Sequence, residues 1–191
     1  MNAKNAFSET EGSIFKFLSS LFARHKVQSV LVGGYALIIN KVQRMTFDVD
    51  FIITAVDCSR IEPDIINAGY SVFSRQSSFV QFKSEKKGLR DIDFLISDGQ
   101  TLERLITHGK KVVIAGEIFI VPSPEHLIAM KLHSIAGNRK RELKDFPDVV
   151  QLMIANAIDP AKADIKEMFR KYNVMDMYEK VVAAIGVSNG K

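Results

Sequence analysis

Two carboxylates separated by one residue, Asp48 and Asp50, follow a glycine pair, Gly33-Gly34, and a short approach, Arg44-Met45-Thr46. Each residue type brings a chemistry. Glycine lets backbone N–H groups come close to a phosphate. Carboxylates at alternate positions of an extended strand point the same way. Holding two such charges together out of water is costly unless a cation lies between them. A hard divalent ion, Mg2+ or Mn2+, takes oxygen ligands and removes that cost. Arg44 could neutralise charge on a transferring phosphate, and Thr46 could orient a phosphate or a metal-bound water. Alone, Asp-Val-Asp describes many solvated strand faces, and glycine pairs end many strands. The ordered conjunction within 18 residues is far more specific.

A second alternation lies downstream. In Arg90-Asp91-Ile92-Asp93-Phe94-Leu95, the side chains of Asp91, Asp93 and Leu95 share one face. Asp93 can supply a third carboxylate, with Asp91 as the alternative. Three carboxylates on neighbouring strands meet the needs of two-metal phosphoryl transfer. Lys131 sits on the apolar face of a predicted helix, between Leu127 and Ile135. A lysine there either snorkels to water or points into a cleft that holds an anion.

The elements that must position these residues follow from hydrophobic period and turn chemistry. A helix is expected over about 10–25, a strand over 27–32 ended by Gly33-Gly34, and a short helix over 35–39. Asn40 is the residue expected to stop that helix in the left-handed conformation. A strand over 47–53 sets Asp48, Asp50 and Ile52 against Phe47, Val49, Phe51 and Ile53. A helix over 57–68 closes at Gly69, and strands follow at 70–75, 79–84 and 90–96. A short helix over 101–108 precedes a strand or hairpin over 112–121. Ser123-Pro124-Glu125 is a strong helix start, with a capping hydroxyl, a first-turn proline and an acid at the positive end. Helices over 143–155, 160–171 and 174–185 complete the chain. The expected fold class is α/β (α+β), a mixed β-sheet flanked by helices in residues 1–121. A C-terminal helical bundle follows in 122–191.

Composition narrows the setting. The 191 residues are 47% hydrophobic and 25% charged, which suits a folded chain with a sizeable core. Net charge is +4 and the isoelectric point about 9.1, a mild basicity compatible with a polyanionic ligand. Cys58 is the sole cysteine, so an intramolecular disulfide is impossible and a reducing cytoplasm is the expected home. No segment reads as a signal peptide or a membrane span. Two basic clusters occur, Arg139-Lys140-Arg141 with Lys144, and Lys83, Lys86, Lys87 with Arg90. Neither shows, in sequence, the interleaved exposed aromatics that single-strand binding favours.

Gly33-Gly34-Tyr35-Ala36-Leu37, Arg44-Met45-Thr46 and Asp48-Val49-Asp50 resemble the signature of the DNA polymerase β-like nucleotidyltransferase superfamily. Within it the chain is most similar to the minimal AbiEii-type toxins and small antibiotic nucleotidyltransferases. The resemblance continues at Lys131, then at Arg139 with Lys144-Asp145 and Asp148, and covers roughly residues 28 to 155. It implies the nucleotidyltransferase fold and transfer of a nucleoside monophosphate from an NTP to a hydroxyl, releasing pyrophosphate. It implies a triphosphate site at Gly33 and Gly34, with Arg44, Thr46, Lys131, Arg139 and Lys144 as further nucleotide contacts. Asp48, Asp50 and Asp93 would be the magnesium ligands and catalytic carboxylates, with Asp93 as general base. The acceptor hydroxyl could belong to tRNA, a protein or a small molecule, and the partner to a cognate toxin or antitoxin. Two departures stand out: Gly34 where many members have serine, and Asn40 where glycine is common. A non-catalytic binding or antitoxin-type module is the alternative, and an RNA-binding protein a weaker one.

Overall fold

A computed structural model describes residues 9–85 and 89–189; Lys86 and Lys87 of the second basic cluster lie outside the described residues. The chain divides into two compact units, residues 1–36 with 45–122, and residues 37–44 with 123–191.

The first unit is built on a five-stranded sheet ordered β1-β2-β5-β4-β3. Its strands are β1 (Val30–Leu31), β2 (Asp48–Thr54), β3 (Tyr70–Arg75), β4 (Phe79–Ser84) and β5 (Asp91–Ser97). β2 and β5 run parallel, and every other neighbouring pair is antiparallel. Alternation explains the layers. Val49, Phe51, Ile53, Val80, Phe82, Ile92 and Phe94 are buried on one face, where α1 (Glu9–His25) and α3 (Ala55–Asn67) pack. Phe22 meets Phe51 edge-on with centroids 5.1 Å apart, and Phe82 meets Phe94 at 5.9 Å. α4 (Gly99–His108) starts two residues before its expected place because Asp98 caps it, accepting from the Thr101 N–H at 2.8 Å. The span 112–121 is a hairpin, β6 (Lys110–Ile114) and β7 (Glu117–Val121), turning through Ala115 and Gly116, both at positive φ.

The same unit corrects three expectations. The first strand shrinks to two residues, Val30 and Leu31, in register with Ile52 and Phe51 of β2. Phe47 precedes β2 instead of joining its buried face and is 71% exposed. The helix expected from Tyr35 begins at Gly33 itself, as α2 (Gly33–Ile39).

The second unit holds α5 (Pro124–Gly137), a 3-10 turn at Arg139–Arg141, α6 (Glu142–Ala155), α7 (Ala163–Lys171) and α8 (Met175–Asn189). Ser123 caps α5 as its sequence requires. Leu132, Ile135, Val149, Leu152, Met153, Phe169 and Met177 form its core. The stop after α2 belongs to Lys41, at φ 68°, not to Asn40. Asn40 is buried, and its carbonyl accepts from Asn156 Nδ2 at 2.9 Å, a tertiary bond that turn propensity could not reveal. Among the described residues no helix is long and apolar enough to cross a membrane.

Candidate active site

The acidic residues converge because of register. Parallel pairing sets Asp48 opposite Asp91 and Asp50 opposite Asp93, so all four carboxylates emerge on the half-exposed face of the sheet. Asp48, Asp50 and Asp93 each place a carboxylate oxygen within 4.8 Å of the others. Asp91 is diverted: its Oδ1 accepts from the Ser84 backbone N–H at 3.1 Å. Three half-buried carboxylates this close repel one another, and a hard dication is the species whose charge and oxygen preference fit them.

The surrounding residues fix the carboxylates. Thr46 Oγ1 donates to Asp48 Oδ1 at 2.8 Å, and Gln81 Nε2 donates to Asp93 Oδ2 at 2.9 Å. Arg90 Nη1 donates to the Thr46 carbonyl at 2.5 Å and holds the approach to β2. Val32 N–H donates to the Asp50 carbonyl at 2.9 Å, which brings the glycine turn against the strand. Gly33 has φ +62°, and a β-carbon there would lie 1.8 Å from Asp50 Oδ2. One on Gly34 would lie 2.3 Å from Thr46 Oγ1. Both glycines are therefore steric requirements of the acidic site. A helix that begins at Gly33 also leaves its first N–H groups outside the intrahelical ladder.

Within the second unit Lys131 neither snorkels nor faces an open cleft. Its ammonium pairs with Asp145 at 2.7 Å and with Asp148 at 2.8 Å. Arg44 also pairs with Asp148, and Arg141 Nε with Asp145 at 2.8 Å. Burial alone would raise the Asp145 carboxyl, but Lys131 and Arg141 outweigh it and hold the group below the usual carboxylate range. Three cations against two carboxylates leave this cluster with an excess positive charge. Sequence reasoning noted Asp145 and Asp148 only as a pattern; their burial beneath three cations is a tertiary fact. Arg139 pairs with Asp176 at 2.9 and 3.1 Å, and Lys144 is exposed.

Two members of the second basic cluster meet exposed aromatic rings from other segments. Lys83 Nζ lies 3.7 Å above the Phe73 ring, and the Arg90 guanidinium 5.8 Å from that of Phe47. These pairs escaped sequence reading because each joins residues on different segments.

No family model matches the chain, and no curated protein matches it. Solved structures do. Superposition on ANT(2'')-Ia in complex with adenylyl-2''-tobramycin has a TM-score of 0.59 at 12% identity, covering 92% of this chain and 99% of that one. An antigenic nucleotidyltransferase-like protein from Paracoccidioides brasiliensis has a TM-score of 0.55 at 16% identity, covering 91% and 86%. The lincomycin-bound lincosamide adenylyltransferase LnuA has a TM-score of 0.53 at 16% identity, covering 78% and 98%. The chain has the nucleotidyltransferase fold.

Proposed function

We propose that this protein is a metal-dependent nucleotidyltransferase that moves a nucleoside monophosphate from an NTP to a hydroxyl acceptor. The observation that carries this reading is the meeting of Asp48, Asp50 and Asp93 beside a glycine turn shaped around Asp50. The fold shared with adenylyltransferases supports it.

Asp48, Asp50 and Asp93 would hold Mg2+ or Mn2+, which supplies charge neutralisation at the triphosphate. Gly33 and Gly34 present backbone N–H groups to phosphate oxygens. Thr46 keeps Asp48 oriented, and Gln81 does the same for Asp93. Asp93 accepts the acceptor's hydroxyl proton. The acceptor oxygen bonds to the α-phosphorus, the bond from that phosphorus to the bridging oxygen breaks, and pyrophosphate leaves with the electron pair. Arg44, Lys131, Arg139 and Lys144 enter as nucleotide contacts from the sequence pattern alone. The same pattern suggests an AbiEii-like branch and a role in a toxin–antitoxin pair, and the single cysteine suits the cytoplasm.

The test is incubation with radiolabelled NTPs, magnesium and cell extract, followed by isolation of whatever becomes labelled. Wild type should label an acceptor and release pyrophosphate, and Asp50→Asn should do neither. Nucleotide binding that ignores magnesium, with no pyrophosphate released, would instead favour the non-catalytic module.

A further inference from the structure

The open sheet face does not end at the carboxylates. From Asp93 on β5 it passes to Gln81 on β4, its register partner and hydrogen-bond donor. Lys83 lies two residues further along the same face of β4. At β3 the pairing skips a residue between Val72 and Ser74, and Phe73 is the extra residue of this bulge. Bulges re-aim side chains, and this one sets the Phe73 ring under the Lys83 ammonium. The ring is 61% exposed, so it is accessible from solvent beside the lysine. At the start of β2 the exposed Phe47 carries Arg90 in the same way. One cation-bearing aromatic ring thus lies along β3 and β4 from the acidic cluster, and a second stands just before β2, both within the first unit.

We infer that Phe73 and Lys83, with Gln81 between them and Asp93, form the acceptor subsite, and that its occupant is the terminal nucleotide of a single-stranded nucleic acid. A flat base stacks on an aromatic ring whatever its identity; on the face of Phe73 that Lys83 covers, the base displaces the ammonium, which then takes the phosphate. The chemistry selects against polycationic acceptors, because Lys83 repels them at the ring where they would dock. Two strand spacings, about 10 Å, separate β5 from β3, which is within the reach of one nucleotide whose hydroxyl lies at Asp93. This inference rests on the transferase reading only for what the bound nucleotide does next.

The experiment separates the two. A fluorescein-labelled single-stranded oligoribonucleotide is titrated in EDTA, without NTP, and followed by anisotropy. Phe73→Ala should weaken binding roughly five- to a hundredfold, and Phe73→Tyr should retain it. Lys83→Met should flatten the salt dependence by about one ion. Phe73 is exposed, so these variants should melt like wild type. Equal affinity of wild type and Phe73→Ala, or no binding by wild type, would overturn the subsite. So would a wild-type dimer that Phe73→Ala dissociates on size exclusion, since the ring would then serve a second copy. If the oligonucleotide binds as expected but no NTP releases pyrophosphate, the subsite stands and the transferase reading fails.

Discussion

The carboxylate of Asp50 occupies the space that a β-carbon on Gly33 would fill, 1.8 Å from its Oδ2. Sequence places these residues on separate elements; the backbone bond from Val32 to Asp50 brings them together. Gly33→Ala should therefore act twice. The left-handed backbone at φ +62° costs alanine about 1–2 kcal/mol. The methyl group also drives Asp50 out of the cluster. Thermal melting should show a modest loss of stability, and Mn2+ binding by electron paramagnetic resonance should be lost.

Removal of one carboxylate should separate metal binding from folding. Asp50→Asn and Asp93→Asn relieve like-charge repulsion, so in EDTA both should melt at or above the wild-type temperature. Added magnesium should raise the Tm of wild type by mass action and leave the variants unmoved. A variant that keeps the magnesium response would remove its carboxylate from the site.

Asp145 should set part of the acid limit of the second unit. Its folded pKa is depressed, so its contribution is present above the unfolded value and is lost as pH falls through the folded one. Asp145→Asn leaves Lys131 with Asp148 alone and Arg141 without its ion pair, and should lower stability at neutral pH. Urea unfolding across the acid range should show a shallower acid limb in the variant.

At the alkaline limit the sign reverses. Burial pushes the Cys58 thiol from 9.0 up to about 11, and burial with the Asp91 charge pushes Tyr70 from 10.0 up to about 12. Both are neutral in the fold. Their contribution is complete below the unfolded values and is lost as pH rises through the folded ones. Stability should fall from about pH 9 upward, measured by urea unfolding. The buried thiol should resist iodoacetamide at neutral pH until the chain is denatured.

The hairpin turn offers a gain. Ala115 sits at φ 52° before Gly116 at φ 86°, a pair that favours asparagine first. Ala115→Asn should stabilise by about 0.5–1 kcal/mol, read as a raised Tm with activity unchanged.

Much of the fold was legible because local rules and tertiary context agree. β3 and β4 lie where β-branched and aromatic runs between turn residues put them. The α5 start follows from its capping serine and proline. Misreadings arose where a distant partner decided. Asn40 has the chemistry of a left-handed stop, yet Asn156 holds it buried and Lys41 makes the turn. Phe47 has the period of a core residue, but the sheet begins one position later.

The sequence by itself determined which faces the acids take, since strand period admits no other outcome for Asp48 with Asp50 and for Asp91 with Asp93. It also determined that glycine, not a larger residue, stands at the turn. Only the tertiary structure decided that β2 and β5 lie side by side and parallel, so that Asp50 meets Asp93. Only it turned Asp91 aside to Ser84 and set Phe73 beneath Lys83. Strand order, register and bulges arise from pairing between distant segments, and no local period encodes such pairing.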